Sequence, residues 1–196
     1  ISIIGLGYVG LPLAVAMAKK FKVVGFDINQ KRIDELNKGL DSTNELSAIQ
    51  VLDALNDGIF YTADMEQLSN SNFYIVTVPT PINNDKTPNL NPIISASKTI
   101  AKYLKKGTTV VYESTVYPGV TEEVCVPLLE EGSGLKFNTD FFVGYDILHI
   151  PPHNVYKTNI LSENYYKLEI YLYIQVIIVK FIYSEKTTKF CELLKI

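Results

Sequence analysis

Six residues near the N-terminus carry the strongest chemical signal in the chain. Gly5-Leu6-Gly7-Tyr8-Val9-Gly10 has the spacing G-x-G-x-x-G, follows the apolar residues 1–4, and opens a segment of helical periodicity. In that setting each position has a physical task. Gly5 permits a tight turn, Gly7 lets the backbone approach a pyrophosphate, and Gly10 lets the helix lie close to the strand. Tyr8 and Val9 complete the turn, whose helix-start N–H groups would face phosphate oxygens. Asp27 follows 20 residues after Gly7, at the end of the second apolar run. There a carboxylate would accept hydrogen bonds from a ribose diol and repel a 2′-phosphate. The alternative for these residues is an ordinary glycine turn beside a solvated aspartate. A methyltransferase binding S-adenosylmethionine can also share a glycine loop and an acid, so the turn narrows the ligand without naming the reaction.

Two more segments place polar groups at strand ends. Thr77-Val78-Pro79-Thr80-Pro81 follows a strongly apolar run, and its two prolines stiffen a loop on which Thr80 offers a hydroxyl. Glu113-Ser114-Thr115-Val116-Tyr117-Pro118-Gly119 follows the next run and brings hydroxyls to the same edge. Read blandly, the first is a rigid turn, and Ser114 or Thr115 in the second is a helix cap. Cys125 lies between Val124 and Val126 and reads as a packed helical cysteine. Cys125 and Cys191 have no partner spacing, which fits a reducing compartment and excludes a disulfide scaffold. His149 and His153 flank Pro151-Pro152, where a regular helix cannot form, so no metal site is expected.

These groups need a scaffold that gathers strand ends. Apolar runs at residues 1–4, 22–27, 59–62, 73–78, 108–112 and 141–144 alternate with helical patterns at 11–20, 30–38, 91–106 and 120–131. Strands apolar on both faces, alternating with helices, predict an α/β fold with a Rossmann-like, doubly wound parallel sheet. Such sheets bind ligands beyond the carboxyl ends of their strands. Residues 83–92 form the clearest polar loop.

Composition divides the chain. All 11 glycines and every alanine lie at or before Gly144. Of the last 52 residues, 27 are Phe, Ile, Lys, Asn or Tyr, against 47 of the first 144. The expected organisation is therefore a nucleotide-binding domain over 1–144 and a tail over 145–196. The tail reads as a small β-rich appendage, or as a frame-shifted, fused or disordered stretch whose residues have AT-rich codons. The net charge of −3 gives no electrostatic case for nucleic acid. The longest uncharged apolar run, residues 170–179, is half the length of about 20 residues that a membrane helix needs. A soluble, cytoplasmic protein is expected.

The order of these motifs resembles the UDP-glucose/GDP-mannose dehydrogenase family, whose members open with G-x-G-Y-V-G-L-P. That family continues with an acid and a basic residue five positions on, a P-T-P loop and an S-T-V-x-x-G segment. The matching residues are 5–12, Asp27 with Arg32, Pro79-Thr80-Pro81, and Ser114-Thr115-Val116 with Gly119. Residues 111–127 look most like the bacterial branch acting on UDP-N-acetylhexosamines.

The resemblance implies NAD as cofactor and a UDP-N-acetylhexosamine as substrate. It implies oxidation of the sugar C6 alcohol to a uronic acid with two NAD, through a cysteine-bound thioester, in capsule or O-antigen synthesis. By the resemblance, Gly5, Gly7, Tyr8, Val9 and Gly10 hold the pyrophosphate and Asp27 and Arg32 the adenosine ribose. Val78, Thr80, Pro81, Ser114 and Thr115 border the cofactor, and Thr115 also supports the reacting centre. The match runs to about Tyr145. Where the family continues Ser-Pro-Glu-Arg, this chain has Asp146-Ile147-Leu148-His149. The G-G-x-C nucleophile segment, the central helix used for dimerisation and the second nucleotide-binding domain are not matched. The expectation is a chain that binds the cofactor but does not turn over sugar by itself, the alternative to an active dehydrogenase being a nucleotide-binding remnant.

Overall fold

The computed structural model describes residues 1–114 and 116–145, and residues 1–145 form one compact unit. Expectations for Thr115, and for the tail, Cys191 and the histidines, lie outside the described residues.

Six parallel strands make one sheet: β1 (Ser2–Ile4), β2 (Val23–Phe26), β3 (Ile59–Thr62), β4 (Phe73–Val76), β5 (Thr109–Tyr112) and β6 (Phe142–Tyr145). Their spatial order is β3-β2-β1-β4-β5-β6, so the winding reverses between β1 and β4. Register fixes that junction, with Ile3 opposite Gly25 on one side and Ile75 on the other. This is the doubly wound order with its ligand crevice at the reversal.

Both sheet faces are covered, which accounts for the unbroken apolar runs. Ile4, Phe26, Tyr74, Val76, Val110 and Tyr112 pack with Ile93, Ile100 and Leu129 in one core cluster. The alternate residues Ile3, Ile75 and Val111 are buried as well. Each fully buried Leu or Ile contributes about 1.5–3 kcal/mol of transfer free energy.

Five α-helices join the strands: α1 (Gly10–Ala18), α2 (Gln30–Leu36), α3 (Ala48–Asn56), α4 (Asn91–Ala101) and α5 (Val126–Ser133). α2 ends before Gly39, whose φ of +77° takes the chain out of the helix. α4 stops at Ala101, short of the expected 106.

Two features depart from the sequence reading. α3 was not expected, although Ser47 and Gln50 form a reciprocal capping box at its start. Its inward face is narrow, with Val51 and Ala54 buried, while Ile49 is 70% exposed and blurs the amphipathic pattern. The expected helix over 120–131 is divided. Thr121–Cys125 is a π turn, closed by Val126 N–H donating to Thr121 O, and α5 follows it. The physical reason is Pro127, which has no N–H to give to Glu123 O and crowds that carbonyl in a regular helix.

Candidate cofactor site

A cleft of about 690 Å³ opens at the sheet reversal. The glycine turn supplies Gly5, Gly7, Tyr8 and Val9, and the end of β2 supplies Phe26, Asp27 and Ile28. Thr77, Val78, Pro79 and Thr80 come from the loop after β4, and Glu113 and Ser114 from the loop after β5. The three motifs that lie far apart in sequence therefore meet at one edge of the sheet.

The three glycines of the turn differ in what surrounds them. Gly5 has φ +95°, a conformation that side chains other than glycine's rarely adopt. A Cβ on Gly10 would collide with Gly5 O and Thr77 Oγ1, so this glycine sets how closely α1 approaches the turn. A Cβ on Gly7 would meet nothing within 4 Å and would project into open space. That space is what an incoming diphosphate needs. No side chain caps α1, and the positive end of the helix is directed at the cleft.

The turn is held from both sides. Thr77 Oγ1 donates to Gly5 O at 2.7 Å and lies 3.1 Å from Ile4 O, tying the loop after β4 to the first strand. Asp27 Oδ2 accepts from Leu6 N at 2.9 Å, while its Oδ1 accepts from Asn29 N at 2.9 Å. Each carboxylate oxygen can accept a further bond, so a diol remains within its capacity. Ser114 Oγ donates to Val78 O at 2.8 Å and links the two loops across the reversal.

Arg32 is placed differently from the expectation. It is 6% exposed and is not among the residues lining the cleft. Its Nε donates to Leu6 O at 2.9 Å, and its Nη2 pairs with Asp41 Oδ1 at 2.7 Å. The guanidinium therefore braces the glycine turn from behind. A single sequence cannot show this, because Asp41 lies in an irregular segment after α2. Pro81 is likewise outside the lining, with Pro79 in its place, and Gly10 acts behind the turn.

Sequence reasoning also missed one wall. Asn91, Ser95 and Thr99 line the cleft from α4. They recur every four residues, so they lie on one helix face, and this polar stripe was legible in the sequence. Thr77 is a second omission, since its hydroxyl seats the turn.

Cys125 is not in the cleft. It is buried beside Ser97 and Tyr112, and burial pushes its thiol pKa up. Tyr112 OH and Ser97 Oγ are 2.6 Å apart, and Ser97 Oγ donates onward to Ile93 O at 2.8 Å. This is a packed core cysteine and not an activated nucleophile. No group of three metal-ligating side chains occurs among the described residues, and no helix among them is long and apolar enough to cross a membrane.

Residues 1–160 match the UDP-glucose/GDP-mannose dehydrogenase family, NAD binding domain. The chain belongs to this family. It is 55% identical over 152 residues to a UDP-N-acetyl-D-glucosamine 6-dehydrogenase of Pseudomonas aeruginosa, covering 78% of this chain and 36% of that protein. Among solved structures, a UDP-N-acetylmannosamine dehydrogenase of Pyrococcus horikoshii superposes with a TM-score of 0.69 at 35% identity. A ternary complex of the GDP-mannose dehydrogenase of Pseudomonas aeruginosa gives 0.70 at 30% identity. Each superposition covers 74% of this chain and 35% of the other. The chain thus spans about a third of the length of the relatives it matches, and that third is the family's NAD-binding domain. The cleft fits the cofactor: an open approach at Gly7, an uncapped helix start and the Asp27 carboxylate at the end of β2 converge there.

Proposed function

We propose that this chain is the NAD-binding part of a cytoplasmic UDP-N-acetylhexosamine 6-dehydrogenase. Such an enzyme oxidises the C6 alcohol of a UDP-sugar to a uronic acid for surface polysaccharide synthesis. The substrate class rests on the 55% identity to the UDP-N-acetyl-D-glucosamine 6-dehydrogenase. The bound dinucleotide supplies the hydride acceptor. Gly5, Gly7, Tyr8 and Val9 take its pyrophosphate, and Asp27 takes the adenosine ribose diol. Val78, Thr80 and Ser114 border the cofactor from the loops after β4 and β5, with Pro81 stiffening the first of these. Thr115, which follows Ser114 in the sequence, supports the reacting centre by the family resemblance. Arg32 contributes from behind, through Leu6 O.

The 196 residues alone bind cofactor without turning over a UDP-sugar. The observation favouring this second part of the reading is the burial of Cys125 in the core, beside Ser97 and Tyr112 and apart from the cleft residues. Aldehyde oxidation through a covalent adduct needs a thiolate at the reacting carbon. The test is a fluorescence titration with NADH and NADPH, beside an assay of NADH formation with UDP-glucose, UDP-N-acetylglucosamine and UDP-N-acetylgalactosamine. NADH binding, weak NADPH binding and no turnover are expected. Equal affinity for the two dinucleotides refutes the role of Asp27. Turnover abolished by Cys125→Ala refutes the placement of the chemistry outside the described residues.

A further inference from the structure

Arg32 occupies the first turn of α2, five residues beyond Asp27. In a nucleotide-binding sheet this is where an arginine accommodates a 2′-phosphate. The position alone would therefore weaken the discrimination that Asp27 provides. In this chain the guanidinium is committed elsewhere. Nε donates to Leu6 O at 2.9 Å, Nη1 to Ser42 Oγ at 3.1 Å, and Nη2 faces Asp41 Oδ1 at 2.7 Å and Thr43 Oγ1 at 3.4 Å.

We propose that Asp41 is a specificity-determining residue for the cofactor, holding Arg32 behind the glycine turn and so denying a 2′-phosphate its cationic partner. The proposal rests on the reading of the cleft as a dinucleotide site. Asp41 is built for such a hold. Its side chain is fully buried, and it also accepts from Thr43 N and Oγ1, Glu45 N and Leu46 N. Four bonds from its own segment fix the carboxylate in place. Rotating Arg32 toward the cleft would leave that carboxylate buried without its counter-charge, which is far more costly than losing an exposed pair. The same pair keeps Nε on Leu6 O, so the lock on Arg32 also braces the turn.

The decisive measurement is the ratio of NADH to NADPH dissociation constants in the full chain, for wild type, Asp41→Asn and Asp41→Asn with Arg32→Gln. A bracing role alone weakens both ligands in proportion and leaves the ratio unchanged. The lock predicts that Asp41→Asn shifts the ratio toward NADPH by about fivefold, the scale of one solvent-exposed ion pair. Adding Arg32→Gln returns the ratio toward the wild-type value. An unchanged ratio in Asp41→Asn, or a shift that survives Arg32→Gln, overturns the proposal. Wild type binding neither dinucleotide overturns the cofactor reading and this proposal with it. Circular dichroism checks folding, and should Asp41→Asn unfold, Ser42→Ala with Thr43→Val asks the same question. That pair removes two partners of the guanidinium, and a shift of about twofold in the same direction is expected. No shift there overturns the proposal equally.

Discussion

Two polar clusters among the described residues are built from different chemistry. Behind the glycine turn, Arg32, Asp41, Ser42 and Thr43 form an ionic network that ends on Leu6 O. Among β5, α4 and the π turn, Tyr112, Ser97 and Cys125 form a neutral one that ends on Ile93 O. The neutral cluster joins elements already pressed together by Tyr74, Ile100 and Leu129, so it needs only to satisfy its own hydrogen bonds. The ionic cluster joins the glycine turn to the irregular segment after α2. Charge-assisted bonds can hold such backbone where packing cannot. Of the two, the ionic cluster is the one bonded to the glycine turn, through Leu6 O.

The largest effect expected is at Gly10. Gly10→Val drives a side chain into Gly5 O and Thr77 Oγ1, and a denaturant melt should show a loss of about 3 kcal/mol or more, or no folded protein. Gly7→Val is the contrasting case. Its Cβ has room, so stability should change by no more than about 0.5 kcal/mol, while NADH affinity falls on the order of a hundredfold as the pyrophosphate loses its backbone bonds. Equal damage to stability at both positions would remove the distinction between a packing glycine and a ligand glycine.

Acid should separate the two clusters next. Burial raises the pKa of Asp41, but hydrogen bonds from Thr43, Leu46 and Arg32 outweigh it and hold the carboxyl at about 2. A depressed folded-state pKa contributes stability above the unfolded value and loses it as pH falls through the folded one. Stability should therefore be flat in this respect above about pH 5 and lose about 2 kcal/mol between about pH 4 and 2. Asp41→Asn should flatten that step. The neutral cluster adds nothing there, because burial pushes both Tyr112 and Cys125 upward.

Tyr112→Phe should cost about 1 kcal/mol, since Ser97 Oγ keeps Ile93 O as its acceptor, and should leave NADH affinity unchanged. An effect on NADH binding would join the two clusters and end the comparison. The smallest signal is the thiol itself. Native Cys125 should resist alkylation at neutral pH and react only as fast as the domain opens, which labelling followed by mass spectrometry reads directly.

Much of the site could be read from the sequence because it depends on local rules. A glycine turn between strand and helix, an acid at the end of the next strand and unbroken apolar runs follow from backbone sterics and from burial on two faces. Those rules were sufficient for the strand alternation, for the edge where Gly7, Asp27, Val78 and Ser114 meet, and for the packed character of Cys125. The α4 stripe of Asn91, Ser95 and Thr99 obeys the same local rules, whereas α3 carries a capping box but an amphipathic pattern blurred by exposed Ile49. What tertiary structure decided is where long side chains and irregular segments go. Arg32 had an expected place at the ribose, yet its guanidinium has five donors and a flexible stem, and its direction is set by which acceptors come within reach. Asp41, held by its own turn and stripped of water, is the strongest of these, and only folding brings it to 2.7 Å from Arg32. The π turn has the same origin, as Pro127 withholds one local bond and the packing of Cys125 and Leu129 selects how the chain absorbs that loss.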